Sequence, residues 1–235
     1  MPTVRFPPPD AAAIARARSF ATKGASPVPA VPAATLVLVR DHPLRVLLVH
    51  RAAGLSFAGG HYAFPGGKVD ESDDVLDDRA GLRDADPGRG AGARATAARD
   101  PSAAFRRAAV RETAEETGLV VEPADLRLWS IWLTPPYEPR RFETYFFVAP
   151  APETTRVVLD AAETQAAYWV EPAAALHAAQ TRGWLMLPPT LYTLAELAEF
   201  RSTAQVLQAE HRVRRFALTI DLTADPPCFV NTAAP

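Results

Sequence analysis

Glu112, Glu115 and Glu116 stand three and four residues apart in Arg111-Glu112-Thr113-Ala114-Glu115-Glu116-Thr117-Gly118. On a helix they fall within about a 100° arc, on the side that also carries Phe105, Ala108 and Ala109. The carboxylates thus extend the stripe that faces protein, not the solvated stripe. Each like-charge pair at this spacing costs about 0.2–0.5 kcal/mol. The same residues lie in the last two turns, where the helix dipole disfavours each anion by a further ~0.3–1 kcal/mol. Arg111, four residues before Glu115, offers the only local compensation. Anions gathered at that end of a helix call for a cation, and a divalent metal ion is the natural candidate. The competing reading is a solvated Glu/Arg face with an Arg111–Glu115 pair.

A second group of residues lies upstream. Gly66-Gly67 can bring bare backbone close to a metal or a phosphate, and Lys68 follows at once. Lysine occurs elsewhere in this chain only at Lys23, so its place beside the glycines is informative, although a surface lysine is the alternative. An acidic patch comes next, with Asp70, Glu71, Asp73, Asp74, Asp77 and Asp78.

These groups need elements to hold them. Asp100-Pro101 reads as a helix start, with Asp as N-cap and Pro in the first turn, and Gly118 reads as the stop. Residues 35–39 and 45–50 are β-branched runs separated by Asp41-His42-Pro43 and read as a hairpin. Strands are expected at 126–133, 142–148, 168–170 and 213–222, and helices at 172–180 and 190–211, with Pro226-Pro227 ending the order. Residues 79–99 show no period and read as a surface insertion. Strands and helices alternate irregularly, which predicts a mixed sheet between helices.

Composition bounds the function. The 235 residues are 48% hydrophobic and 22% charged with a net charge of −2, so neither disorder nor a basic field for nucleic acid or anionic membrane is expected. A single cysteine, Cys228, excludes an intrachain disulfide and a cysteine-based zinc site, and suits a reducing, cytoplasmic setting. No apolar run approaches the ~18–20 residues of a membrane span. His42, His61, His177 and His211 have no zinc-like spacing. The 23 prolines cluster early, so residues 1–30 read as a Pro-rich arm or short helix laid on a domain over 31–200, with 201–235 a helix end and tail packed on it.

Phe64-Pro65-Gly66-Gly67-Lys68-Val69-Asp70, followed by Arg111-Glu112-Thr113-Ala114-Glu115-Glu116-Thr117-Gly118-Leu119, resembles the Nudix box of the Nudix hydrolases, G-x5-E-x7-R-E-U-x-E-E-x-G-U with U aliphatic. Its second half is matched at every fixed position, with Thr113 at the first U. Counted from Gly67, the glutamate place holds Asp73, and 37 residues separate Asp73 from Arg111. Such a split box resembles one branch, the peroxisomal coenzyme A diphosphatase-like proteins and their bacterial relatives. Further matches are Arg51 and Phe57 before the box, Arg141-Phe142-Glu143-Thr144, Glu163 ahead of Trp169-Val170-Glu171-Pro172, and Leu187-Pro188-Pro189-Thr190.

The resemblance implies an α/β fold, the Nudix-type α/β/α sandwich with a central mixed β-sheet. It implies hydrolysis of a diphosphate in a nucleoside-diphosphate-linked small molecule, with coenzyme A or an acyl ester as the particular case. Carried over residue by residue, Glu112, Glu115 and Glu116, with the Gly67 carbonyl, are expected ligands of Mg²⁺ or Mn²⁺. Arg111 is expected to orient a glutamate or pair with Asp73, and Glu163 to serve as general base. Arg51, Lys68, Tyr137, Arg140 and Arg141 are the expected substrate-binding residues, with Trp129, Trp132 and Phe142 near the same loop but Trp129 and Phe142 more in keeping with core. A non-catalytic nucleotide-sensing module is the alternative; the intact glutamate set argues against it. No nucleic-acid or membrane partner is expected, and self-association as a homodimer stays open. The final Thr232-Ala233-Ala234-Pro235 carries no S-K-L type address, so a peroxisomal location is not expected.

Overall fold

The β-branched stretch Ala30–Arg40 forms β1, and its alternation decides how the molecule is layered. A computed structural model describes residues 8–55, 57–74, 102–153 and 156–232. Ala34, Leu36 and Leu38 of β1 point to one side, where they meet Ala108, Ala109, Leu119 and Phe147. Val37 and Val39 point to the other, among Trp132, Phe146, Leu194 and Leu197. β1 is therefore buried on both faces. That requires a layer of helix on each side.

Arg45–Arg51 forms β2, which turns back on β1 with Val39 opposite Val46, so the hairpin is present and longer than its apolar runs. Tyr62–Ala63 forms β3 and Gly66–Lys68 forms β4; β4 pairs with the start of β1, Gly67 opposite Ala34. A 3-10 turn over Glu71–Asp74 follows. The helix α2 runs from Ala103 to Thr117, after the N-terminal helix α1 at Ala11–Lys23. Arg127–Leu133, Arg141–Pro150 and Thr164–Val170 form β5, β6 and β7. Pro172–Thr181, Pro188–Leu197 and Thr203–Gln208 form α3, α4 and α5, and Arg214–Asp221 and Cys228–Asn231 form β8 and β9. The sheet order is β3-β2-β1-β6-β5-β8-β9, with β4 added to β1 and β7 to β2. β1–β6 and β5–β8 are parallel and the other pairs antiparallel, so the sheet is mixed and the fold is α/β. Among the described residues no helix is long and apolar enough to cross a membrane.

Three expectations change. The helix read over 190–211 is broken into α4 and α5, because Ser202 accepts a hydrogen bond from Gln205 N and Thr203 N donates to Asp41 Oδ1 at 2.6 Å. Order does not end at Pro226-Pro227: Phe229 and Val230 continue into β9, opposite Ile220 and Thr219 of β8. Helix α2 has Ser102 in the N-cap place, and residues 100 and 101, like the insertion read over 79–99, lie outside the described residues.

Helix α1 ties the start of the chain to the sheet. Asp10 caps it by accepting from Ala13 N at 2.6 Å, and Gly24 ends it at φ 57°. Ala13 and Ala17 pack on Tyr137 and Ile220, Arg16 pairs with Glu138 at 2.8 Å, and Arg141 donates to the Val28 carbonyl at 2.8 Å. Burial under α1, aided by the Glu138 charge, pushes the Tyr137 hydroxyl up to about 12. A tyrosine titrates near ~10 when exposed, so the neutral hydroxyl is favoured in the folded state. The resulting stability is present below the unfolded pKa and is lost as pH rises through the folded one. Urea unfolding across pH 9 to 11 should therefore show a steeper loss of stability for the wild type than for Tyr137→Phe. Parallel profiles would show that Tyr137 is accessible to water.

Candidate active site

Helix α2 positions the acids because small residues let it sit low on the sheet. Ala108 and Ala109 are fully buried against β1, and Phe105 stacks on Tyr145 at 3.8 Å between ring centres. Thr113 stands where the resemblance has an aliphatic residue. Its hydroxyl donates to Ala109 O at 2.7 Å, and that of Thr117 to Thr113 O at 2.6 Å, so both buried polar groups are satisfied within the helix. Gly118 ends α2 at φ 70°, a left-handed conformation that favours glycine, and donates to Ala114 O.

The three glutamates meet very different surroundings. Glu116 is 3% exposed; its Oε1 accepts from Arg51 Nη1 at 3.2 Å and its Oε2 from the Gly66 N–H at 3.1 Å. Burial pushes its carboxyl up to about 7 against the pull of Arg51 and Gly66, with Glu112 and Glu163 adding to the rise. Glu112 is mostly buried, and burial raises it too, opposed by Arg111. Its carboxyl group lies on bare backbone: a Cβ on Gly67 would stand 2.2 Å from Glu112 Cδ. A Cβ on Gly66 would meet the Ala34 carbonyl at 2.3 Å. Both glycines are therefore demanded by close approach, one by the carboxylate and one by β1. The Glu115 side chain is 59% exposed at the rim.

Arg111 holds this arrangement together. Its fork grips Asp73, Nε to Oδ1 at 3.2 Å and Nη2 to Oδ2 at 2.9 Å. Nη1 reaches Glu112 Oε1 at 2.9 Å and Glu115 Oε2 at 3.2 Å, and Nη2 also donates to the Lys68 carbonyl at 3.0 Å. The Asp73 bond is the main reason the guanidinium is held still further above its ordinary range. Burial pushes Asp73 up, but hydrogen bonds from Arg111 and the Asp70 N–H hold its carboxyl below the usual range. The shorter aspartate thus makes the bidentate contact in full.

Other predicted residues divide. Glu163 is exposed on the turn before β7, its charge close enough to raise both Glu112 and Glu116. Arg51, expected to bind substrate, is turned inward onto Glu116. Lys68 is exposed, and its backbone carbonyl serves Arg111. Tyr137 and Arg141, also expected at the substrate, are engaged elsewhere: Tyr137 is buried under α1, and Arg141 donates to the carbonyls of Thr134 and Val28. Arg140 is exposed. Trp129 is core, its Nε1 donating to Glu196 Oε2 at 2.8 Å and its ring stacked on His211 at 3.7 Å. Trp132 stacks on Phe216 in the same core, and Phe142 meets Phe57 at 4.8 Å. Two contributions escaped the sequence reading. The Gly66 N–H bonds Glu116, and Arg107, one turn before Arg111, donates to the Asp73 carbonyl.

Among the described residues no three acid, imidazole or thiol groups converge as a ready cation site. Arg111 and Arg51 instead engage the carboxylate oxygens that face inward. The donor chemistry nevertheless fits a hard cation: several carboxylates and backbone carbonyls, with no sulfur or imidazole among them.

Comparison with known proteins places this arrangement in a class. Residues 98–188 match the NUDIX domain family model. A Caenorhabditis elegans protein named "Putative nudix hydrolase 7" is 27% identical over 179 residues, covering 72% of this chain and 61% of that protein. The chain thus spans less than two thirds of that relative's length. The crystal structure of a NUDIX hydrolase from Alicyclobacillus acidocaldarius matches with a TM-score of 0.61 at 25% identity, over 77% of this chain and 96% of that one. The likeness to the Nudix domain is thus carried by residues 98–188. The family match begins at residue 98, and the structure adds upstream Gly66 and Asp73 by bonding them to Glu116 and Arg111.

Removing Arg111 would leave Asp73 and Glu112 charged, poorly hydrated and unpaired. Breaking a buried pair from one side costs about 3–5 kcal/mol, reduced here because the guanidinium is partly exposed. Arg111→Met should lower stability to urea by about 2–3 kcal/mol, while Lys68→Met should stay within about 0.5 kcal/mol. A loss below ~1 kcal/mol for Arg111→Met would contradict the role given to it.

Proposed function

We propose that this protein is a divalent-metal-dependent hydrolase cleaving the diphosphate of a nucleoside-diphosphate-linked substrate, with coenzyme A or its acyl esters as the preferred class. The observation that carries the reading is Glu112 laid on Gly67 and Glu116 bonded to Gly66 N–H, two buried carboxylates against backbone with no side chain between. Such an arrangement is costly in a merely structural helix.

Glu112, Glu115 and Glu116 would hold Mg²⁺ or Mn²⁺, with the Gly67 carbonyl as a further oxygen. When bound, such a cation supplies charge neutralisation at the diphosphate oxygens and lowers the pKa of coordinated water. Gly66 N–H and Arg51 fix Glu116 in place, so its oxygens need little reordering. Arg111 orients Glu112 and Glu115 from the opposite side. Glu163, exposed beside them, takes the proton of the attacking water. The water oxygen forms a bond to one phosphorus as the bridging P–O bond breaks, giving two phosphate-ended products.

Coenzyme A carries a 3′-phosphate that needs a cation of its own. Arg140, exposed on the loop before β6, is the candidate. The support for this class is the split box and Leu187-Pro188-Pro189-Thr190 at the start of α4.

A hydrolysis screen over diphosphate substrates with Mg²⁺ or Mn²⁺, products identified, tests the reading. Coenzyme A should yield 3′,5′-ADP and a 4′-phosphopantetheine, and Arg140→Ala should weaken use of coenzyme A at least about tenfold more than that of its 3′-dephospho form. Equal losses, or brisk ADP-ribose hydrolysis beside none of coenzyme A, would contradict the coenzyme A assignment. No hydrolysis of any diphosphate would contradict the enzyme.

A further inference from the structure

Thr164 opens β7 directly opposite Arg51 of β2, where the register shifts between His50 and Arg51. Residues directly opposite in an antiparallel pair share a face of the sheet. Arg51's face is that of Glu116, to which its Nη1 donates. The segment before Thr164 runs along the end of α2: Asp160 N donates to Glu116 O at 3.4 Å and Thr164 N to Asp160 O at 2.9 Å. Thr164 is 2% exposed, yet its Oγ1 is buried with no hydrogen-bond partner in the protein. The same is true of Arg51 Nε. Two unpartnered buried groups, a guanidinium N–H and a hydroxyl, thus fall on cross-strand neighbours beside one buried carboxylate. Buried polar groups are nearly always satisfied, and where protein does not do it, ordered water does.

We propose that Thr164 is a positioning residue of this site: its hydroxyl and Arg51 Nε share one buried water, which holds the guanidinium in a single-bonded contact with Glu116. The inference rests on the hydrolase reading for its consequence, not for its geometry. A carboxylate has about four acceptor positions. Glu116 gives one to Arg51 Nη1 and one to Gly66 N–H, which leaves two. A guanidinium free to roll would present Nε and Nη together and grip both oxygens in a fork. That grip would take the acceptor positions the reaction needs. Anchoring Nε through Thr164 prevents it.

Thr164→Val removes the hydroxyl and keeps the shape; Thr164→Ser keeps the hydroxyl. High-resolution crystal structures should show a solvent peak within hydrogen-bond distance of Arg51 Nε and residue 164 Oγ in the wild type and Thr164→Ser, and no such peak in Thr164→Val. Thr164→Val should lower kcat about tenfold or more with KM within about twofold, and Thr164→Ser should restore it. The melting temperature of Thr164→Val should fall, because a hydroxyl with a partner is lost. A wild-type map without the peak, or a Thr164→Val protein that melts higher and keeps its kcat, would overturn the proposal. Were Thr164→Val not to fold, the wild-type and Thr164→Ser maps would still decide. Were the wild type to hydrolyse no diphosphate, the hydrolase reading would fail alone, and the maps and melting order would judge Thr164.

Discussion

Everything at this site follows from burying carboxylates at the wrong end of a helix. Glu112 and Glu116 lie where the α2 dipole and each other's charge both oppose them, and burial raises both. Two guanidinium groups meet that cost. Arg111 grips Asp73 and reaches across to Glu112 and Glu115; Arg51 meets Glu116 from β2. Each arginine joins α2 to a segment distant in sequence.

The sheet explains why those segments converge. β1 is paired along its length with β6 on one side, and on the other with β4 at its start and β2 at its end. Gly66 and Gly67 are carried on β4, and Arg51 ends β2, so both reach the same end of α2. Apolar burial drives α2 onto this surface: Leu36, Leu38 and Phe147 are each fully buried beneath it. A fully buried side chain of this size contributes roughly 1.5–3 kcal/mol, which outweighs the tenths of a kcal/mol lost to each like-charge pair. The helix docks because of its small apolar stripe, and the carboxylates are carried in with it.

The local features were legible in the sequence because they depend on near neighbours. The 3.6-residue period placed Glu112 and Glu116 with Ala108 and Ala109 on the inward side of α2, whereas Glu115, at the edge of the same arc, is exposed; Gly118 marked the helix end. The β-branched runs at 35–39 and 45–50 on either side of Asp41-His42-Pro43 marked the hairpin. What sequence reasoning missed depends on partners far along the chain. Arg51 resembled a substrate residue until Glu116, 65 positions on, was seen to hold it. Tyr137 and Arg141 were expected at the substrate, and α1 with the Val28 carbonyl engages them instead. The break between α4 and α5 turns on Asp41, which has no local signal near Thr203. The pairing of Arg111 with Asp73 was one of two expected roles, and the 3-10 turn over Glu71–Asp74 brings the aspartate within reach.

The central claim is that Glu116 is kept buried and ionisable in order to hold a cation. Calorimetric titration of Mn²⁺ into the substrate-free protein tests it most directly, comparing wild type with Glu116→Gln. The amide oxygen keeps one of the two bonds, to Arg51 or to the Gly66 N–H, and the change removes a buried charge, so the fold is expected to survive it. The account predicts saturable binding by the wild type and affinity at least about tenfold weaker for Glu116→Gln, with an unchanged or higher melting temperature in the absence of metal. Equal Mn²⁺ affinity for the two proteins would contradict it.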